Sequence, residues 1–414
     1  MVDFDSFDHN KCSYSISLAV KKRMRYKIAL FLLVIAMGLS LVPASAVLSA
    51  TSIPAVFSQL LKVPTLSNPA MILIDETTGE VVYERNSYSQ RKPASVMKIL
   101  SATAALEYLD PQKGFETNIF LGPEPRTLVI QGSFDPWISL NDAVAKKMHR
   151  TSLPRIAFNS MTALKIANHG SLRNIKVQYA GLYSQDVANL KSFWAKRGFK
   201  PTMKLVGAPT LESMRGNLVL SSTSPSIAEI LDFTLLWSDN LLAERLARLA
   251  SKAAGYGLSD RGVAVTFAKL LRKFNIDASK LVIADASGLS KENRITAQIV
   301  GQLLLKTRRD KKFALLYESL PVSGVSGTLK DRFIKTAPNA VGLVRAKTGT
   351  LNGTVTMAGY VEAGSHEYVF VTLVDEIPRG TRASDRARAA IDRLLGRIAA
   401  PNIPAVISEA VPAP

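Results

Sequence analysis

Residues 91–100 read RKPASVMKIL: a polar triplet ending in proline, then Ser95 and Lys98 three positions apart at the head of an apolar run. A serine in that place has two readings. It caps a helix, as serine does at helix starts, or it is a nucleophile whose base is Lys98, because residues i and i+3 share a helix face. The S-x-x-K spacing alone does not choose, since about one or two matches arise by chance in a chain of this length and composition. Ser89 and Lys92 supply a control, a second S-x-x-K in the same neighbourhood. That copy lies in the polar stretch Gln90-Arg91-Lys92 and stops at Pro93, so no helix carries its lysine back over its serine. The choice for Ser95 depends on what the rest of the chain supplies.

Downstream, SVMKILSATAALEYL (95–109) keeps apolar residues at helical spacing and predicts a helix, with RKP ending the segment before it. Upstream, MILID, ETTG and EVVYERN (71–86) alternate about a turn containing Gly79, which predicts a β-hairpin. TLVIQGSFDPWIS (127–139) reads as a buried strand running into a Gly/Pro turn. Residues 140–215 mix short helical and strand-like pieces with many basic residues, and are expected to form a small accessory subdomain inserted in the main one. SSTSPSIAEILDFTLLW (221–237) carries a capping box, Ser226 with Glu229; SDN (238–240) interrupts it, and LLAERLARLASKAAGYG resumes helical spacing as far as Gly255 and Gly257. Short helices and loops lead to KDRFIK. From Val341, GLVRAKTGT, GTVTMAGYVEA and HEYVFVTLVDE predict three strands, parted by Gly353 and by Gly364-Ser365. A closing helix over 384–399 sets Ile391, Leu394, Leu395 and Ile398 on one face.

The implied class is α/β: one antiparallel sheet made by the N-terminal hairpin and the C-terminal meander, flanked by the helices between them. The main domain takes 47–139 and 216–400, and 401–414 is a Pro/Ala-rich tail. Residues 21–46, KKRMRYKIALFLLVIAMGLSLVPASA, have a basic start, an uncharged core over 28–42 and a final Ala-Ser-Ala, so 1–46 reads as a secretory signal peptide cleaved after Ala46. The competing reading is an uncleaved anchor, because the uncharged stretch runs on to Ala50; Met24 offers a second start. Both readings export the protein to the periplasm or cell-wall space.

The net charge is +19, and the first 46 residues hold six basic and three acidic side chains, which leaves +16 on the remainder. The basic residues are spread rather than gathered in a tract interleaved with aromatics, which argues against nucleic acid and for a solvated surface. Such a surface suits anionic wall polymers. The one cysteine, Cys12, precedes the apolar segment, so the folded part is expected to hold no disulfide and no cysteine-based metal site. His149, His169 and His366 lie in no H-E-x-x-H, His366 is expected at the surface after a hairpin turn, and G-x-S-x-G is absent. No metal or organic cofactor is implied.

Three elements follow one another in order: Ser95-Val96-Met97-Lys98, Ser238-Asp239-Asn240 and Lys347-Thr348-Gly349. Each is weak alone. S-x-x-K, S-D-N and K-T-G together are the signature set of serine β-lactamases and penicillin-binding proteins, and each lies where its role needs it. Ser95 at a helix start meets the positive end of the helix dipole, which favours a forming alkoxide. Lys98 works as a base if burial or a second cation lowers its pKa, and Lys347 is the candidate cation. Ser238 is placed to relay a proton to the leaving group, and the Asn240 amide to hold a substrate carbonyl, while Asp239 holds the turn. Lys347 is expected to place positive charge near a substrate carboxylate on a strand that aligns substrate in extended form, and Gly349 to permit close backbone approach. The N–H groups of Ser95 and Thr350 are the expected oxyanion hole.

With those residues in place, the chain resembles the D-alanyl-D-alanine carboxypeptidases/endopeptidases of the penicillin-binding protein 4 type, the class C low-molecular-mass group. GSFDPWIS resembles that family's G-G-D-P-T-L-S segment, SPSIAEILDFTLLWSDNLLAERL its helix into S-D-N, and DASGLSKENRIT (285–296) its D-G-S-G-L-S-x-x-N-R-x-T loop. PVSGVSGTLKDRF and VRAKTGTLNGTVTMAGYV resemble its run into K-T-G and beyond. Phe134 and Trp137 replace the family's small residues, and the insert between the first two motifs is shorter than in its longer members. The resemblance implies a penicilloyl-serine transferase fold, hydrolysis of the terminal D-Ala-D-Ala bond of peptidoglycan stem peptides or of D-Ala to diaminopimelate cross-links, and acylation of the same serine by β-lactams. Ser287-Gly288 stays open between a plain tight turn and a wall of the cleft. Two other functions remain to be separated: a serine β-lactamase or esterase on the same fold, and a non-catalytic cell-wall-binding protein.

Overall fold

The computed structural model describes residues 48–402. The leader, its cleavage site, Cys12 and nearly all of the Pro/Ala-rich tail lie outside the described residues. The first element is a helix, Ile53–Leu60, with Ile53 and Phe57 buried one turn apart; the Phe57 ring meets Tyr83 edge-on at 5.6 Å. It has no counterpart in the sequence expectations, because it follows directly on an uncharged stretch whose uniform apolarity hides a helical period.

Strands β1 (Ala70–Asp75) and β2 (Val81–Arg85) form the expected hairpin about Gly79, which takes φ +80°. The next element is a 3-10 turn, Ala94–Met97, leading into an α-helix, Lys98–Tyr108. Every side chain from Lys98 to Leu106 is buried, so this helix is a core rod rather than an amphipathic surface helix.

A second sheet follows. It comprises β3 (Phe115–Leu121), β4 (Thr127–Gly132), β5 (Lys176–Ala180), β6 (Thr202–Leu205) and β7 (Leu218–Ser224), in the order β6-β5-β4-β3-β7. Two crossovers, through the helices Leu153–Ala167 and Ser184–Ala195, make β4, β5 and β6 parallel, while β3 runs antiparallel to β4 and β7. Trp194, Leu164, Ile156, Ile130 and Val177 fill the core between sheet and helices. The accessory unit expected over 140–215 therefore reaches further in both directions. The sequence pattern puts TLVIQG in the main domain and SSTS at the start of a helix, whereas both lie in strands of this second sheet. A strand's own pattern does not say which sheet it joins, and the parallel partner of β4 lies far along the chain.

The main sheet is completed by β8 (Val344–Leu351), β9 (Thr354–Ala363) and β10 (His366–Val374), in the antiparallel order β2-β1-β10-β9-β8. First and last segments thus share one sheet, with Ala70 opposite Leu373 and Asp75 opposite Tyr368. The closing helix, Thr381–Gly396, sets Ile391, Leu394 and Leu395 against one face of the sheet, beside Phe370 and Met357. The opposite face, with Ile72, Ile74, Val369 and Val371, receives the helices Lys98–Tyr108 and Ala297–Arg308. The result is three layers, with β8 on the edge and the Ser95 turn beside it.

Candidate active site

The turn that carries Ser95 is fastened from both sides. Arg91 pairs through its backbone with Ile295, and its side chain meets Asp375 at 3.3 Å and Glu376 at 2.7 Å. The Asp375 carboxylate also accepts the Lys92 N–H, and the Thr356 hydroxyl on β9 donates to the Pro93 carbonyl at 2.8 Å. RKP therefore anchors the nucleophile turn rather than merely ending the preceding hairpin. Ala94 then adopts φ +45°, a conformation that costs an alanine about 1–3 kcal/mol and that sets Ser95 at the start of the turn.

Ser95 is not a helix cap. Pro93 and Met97 flank the 3-10 turn and the α-helix, and no side chain caps either start. The Ser95 hydroxyl instead accepts from the Lys98 ammonium at 3.0 Å. Lys98 is 0% exposed, and its amine also donates to Asn240 Oδ1 and to the Ser287 carbonyl, both at 2.7 Å. Burial pulls its pKa down to about 8, against the attraction of Asp239, Asp285 and Glu244.

Ser238 ends the helix Ile227–Trp237 in the left-handed conformation, φ 62°, an uncommon state for a serine. Asp239 then caps the next helix, Asn240–Ala253, by accepting the Leu242 N–H at 2.9 Å. One distorted residue thus turns the chain between two helices and delivers Asn240 to Lys98. Among the described residues the Ser238 hydroxyl has no hydrogen-bond partner in the protein.

On β8, backbone parity settles what faces outward. Ala346 N–H donates to the Pro321 carbonyl, and Val344 exchanges with Ser323, so the residues of that parity turn their N–H and C=O away from β9. Thr348 and Thr350 share the parity. The segment 321–323 covers the edge only as far as Ala346, and among the described residues nothing pairs with it beyond that point. The Thr350 N–H therefore faces an open strand edge. Gly349 lies against the nucleophile turn: a Cβ there would meet Ser95 N at 2.8 Å and Thr356 Oγ1 at 2.3 Å. The Thr348 hydroxyl pairs with that of Thr328 at 2.8 Å.

Lys347 is also 0% exposed, and its amine donates only to the Thr348 carbonyl at 3.1 Å. Burial, and then the positive charge of Lys98, holds its pKa well below the lysine range. Lys98 has three acceptors and three carboxylates nearby where Lys347 has a single carbonyl, so of the two lysines Lys98 is the better supported as a cation. The sequence expectation allows burial or a second cation, Lys347, to lower Lys98, and burial is the cause found.

The loop 285–296 is a wall of the site. Asp285 accepts the N–H groups of Gly288 and Ser290 and the Asn293 amide, and Glu244 accepts the N–H groups of Ala286 and Ser287 at 2.8 Å each. Gly288, at φ +85°, sits so close that a Cβ would come within 1.7 Å of the Ala94 carbonyl. Sequence reasoning did not assign the Ser287 carbonyl, Glu244 or Asp285 to the site. A backbone acceptor leaves no mark in residue type, and Glu244 is one helical turn beyond the triplet that drew notice.

The model of the D-Ala-D-Ala carboxypeptidase 3 (S13) family matches residues 55–165 and 164–398, nearly the whole described chain. The chain belongs to that family. Similar proteins include the carboxypeptidase DacB of Mycolicibacterium smegmatis, 27% identical, with 80% of this chain and 81% of the relative covered. The D-alanyl-D-alanine carboxypeptidase of an Actinomadura species is 24% identical over 72% and 76% of the two chains. Among solved structures, penicillin-binding protein 4 of Haemophilus influenzae superposes with TM-score 0.64 at 17% identity, covering 82% of this chain and 98% of that one. The fold is thus the penicilloyl-serine transferase fold of this S13 family, and the enzyme class is hydrolase. Among the described residues no cluster of histidine, cysteine or carboxylates has the makings of a metal site. His366 pairs with Asp75 at 2.8 Å on the edge of the hairpin turn, remote from the Ser95 turn in the sheet register.

Proposed function

We propose that this S13 peptidase trims peptidoglycan stem peptides through an acyl-enzyme on Ser95. The observation that carries the assignment is the Ser95 hydroxyl held at 3.0 Å by a buried lysine whose pKa is brought to about 8, beside an open strand edge. In its neutral form Lys98 takes the Ser95 proton as the oxygen attacks the carbonyl of the penultimate D-alanine. The resulting oxyanion is held by the Ser95 and Thr350 N–H groups. The proton on Lys98 passes, by way of Ser238, to the leaving D-alanine nitrogen as the C–N bond breaks, and water then hydrolyses the ester. Asn240, released from Lys98, holds the peptide carbonyl of a substrate laid along β8 from Lys347 to Gly349, with Thr348 on the outward parity. D-Ala to diaminopimelate cross-links present the same bond to the same edge.

β-Lactams acylate the same serine in this reading, and the adduct persists. Fast deacylation, the mark of a β-lactamase or esterase, needs a group free to activate water; Asp239, Glu244 and Asp285, the carboxylates beside Lys98, are committed to backbone N–H groups. The export signal read over 1–46 supports a reaction in the periplasm or wall space, and among the described residues no helix is long and apolar enough to cross a membrane. The basic surface adds retention on anionic wall polymers. Stripping those polymers from isolated walls should release the protein, and unchanged retention counts against that part.

The test is release of D-alanine from a stem peptide ending in D-Ala-D-Ala, together with labelling by a fluorescent penicillin. Ser95→Ala should lose both, and Ser89→Ala should keep both. Labelling that survives in Ser95→Ala, or that turns over within seconds in the unaltered protein, overturns the reading.

A further inference from the structure

We infer that an arginine stripe on the closing helix, Thr381–Gly396, is the docking site for a linear polyanion with a phosphate in each repeat, an inference that rests on the wall-polymer part of the reading above and deepens it. Arg382, Arg386 and Arg393 of that helix, and Arg397 just past its end, are all exposed. At about 3.6 residues per turn the four fall within about 60° of one another, and they run roughly 22 Å along the helix as two pairs, each pair about 6 Å apart. The side that carries Ala387, Ile391, Leu394 and Leu395 is spent on the sheet. The helix Lys98–Tyr108, which follows the Ser95 turn, packs on the sheet's opposite face, so a polymer held on the stripe does not cover the nucleophile.

Nothing on the helix neutralises the stripe. Its two carboxylates are taken by arginines that lie off the stripe, Asp385 by Arg388 at 2.7 Å and the buried Asp392 by Arg332. Among the described residues none of the four stripe arginines is ion-paired or donates a side-chain hydrogen bond. Arg382 with Arg386, and Arg393 with Arg397, set like charges four residues apart, an arrangement that weakens a helix. A surface that served solubility alone would gain from a carboxylate at one position of each pair. All four are arginines, whose planar forks take phosphate oxygens two at a time. A polymer with one phosphate per six backbone bonds, the length of two extended residues, repeats every roughly 7 Å, close to the spacing within each pair. A lipid surface fits less well: no exposed large apolar side chain lies on this helix and its apolar face is already used, so nothing is left to enter a bilayer.

The experiment measures the affinity of the purified protein for poly(glycerol phosphate) across a salt series, with vesicles of phosphatidylglycerol and phosphatidylcholine as a second probe. One variant joins Arg382→Gln, Arg386→Gln, Arg393→Gln and Arg397→Gln. A control joins Lys165→Gln, Lys191→Gln, Lys196→Gln and Lys200→Gln, which removes the same charge from exposed positions of the accessory unit. The stripe variant should bind the polymer about 10- to 100-fold more weakly and with a shallower salt dependence, the control should stay within about three-fold, and both should keep penicillin labelling. If the stripe variant does not fold, Arg386→Gln with Arg393→Gln carries the test and should lose about 3- to 10-fold. Equal losses in stripe variant and control, or no loss in the stripe variant, overturn the inference and leave polymer retention to the whole basic surface. Vesicles bound more tightly than the polymer, and released by the same variant, overturn the polymer as occupant in favour of a membrane. An unaltered protein that binds neither probe yet releases D-alanine overturns the wall-polymer reading and this inference with it, while the peptidase reading stands.

Discussion

Lys98 shows why a common residue pair becomes a reactive one. Its burial makes the neutral amine accessible near pH 8, and its three acceptors hold that amine over Ser95. The sign of the pH dependence follows. The base is the unprotonated form, so the rate of penicillin labelling should rise through about pH 8 and level off about one unit above it; a rate flat across that range would mean another group takes the Ser95 proton. Stability moves the same way: the unfolded lysine holds its proton up to its ordinary pKa of 10.5, so between about 8 and 10.5 the folded state gains on the unfolded one as pH rises. Lys98→Arg keeps a positive charge that does not leave at these pH values, and should abolish labelling. Such residue-level chemistry was legible in the sequence as types and order. The lowered pKa, and burial as one cause of it, were expected; the burial of Lys347 was not, because it is a property of the assembled sheet rather than of K-T-G.

At the scale of elements, the site is where a strand, a turn and a loop come closer than side chains allow. Gly349 and Gly288 make that approach possible, against Ser95 N and the Ala94 carbonyl. Gly349→Ala should therefore slow penicillin acylation by at least about ten-fold, since the added methyl pushes on the turn that sets the nucleophile. Gly288→Ala should cost more, because its φ of +85° is itself unfavourable for alanine; labelling at the normal rate in either variant would show that the turn can move without penalty. Elements with local signals were readable: the capping box Ser226–Glu229 opens its helix, and Gly79 turns its hairpin. Ser226→Ala should lower stability by about 1 kcal/mol in a denaturant melt without affecting labelling. The 3-10 turn at Ala94–Met97 was not readable. Its geometry comes from anchors at Asp375, Thr356 and Ile295, all distant in the chain.

At the scale of the molecule, the second sheet is tied to the site by one buried ion pair. Arg245 lies on the helix that begins at Asn240, and its guanidinium meets Asp186 of the accessory unit at 2.9 Å, with both side chains almost wholly buried. The same guanidinium donates to the Pro136 carbonyl at 3.1 Å and lies over the Tyr183 ring. The sequence hid this link, because β3, β4 and β7 read as pieces of the main domain and the partners Arg245 and Asp186 are far apart in the chain. Burial raises the pKa of Asp186 while Arg245 pulls it back down, so the carboxylate is there to satisfy the arginine rather than for its own sake. Removing it by Asp186→Ala leaves a buried cation unpaired, which should cost about 3–5 kcal/mol. Because Arg245 shares a helix with Asn240, the loss should reach the site as well: the melt should shift as a single transition, and penicillin labelling should slow. The double variant Asp186→Leu with Arg245→Met, which removes both charges at similar volume, should recover most of the stability. A double variant as unstable as Asp186→Ala would mean that packing, not the unpaired charge, sets the cost.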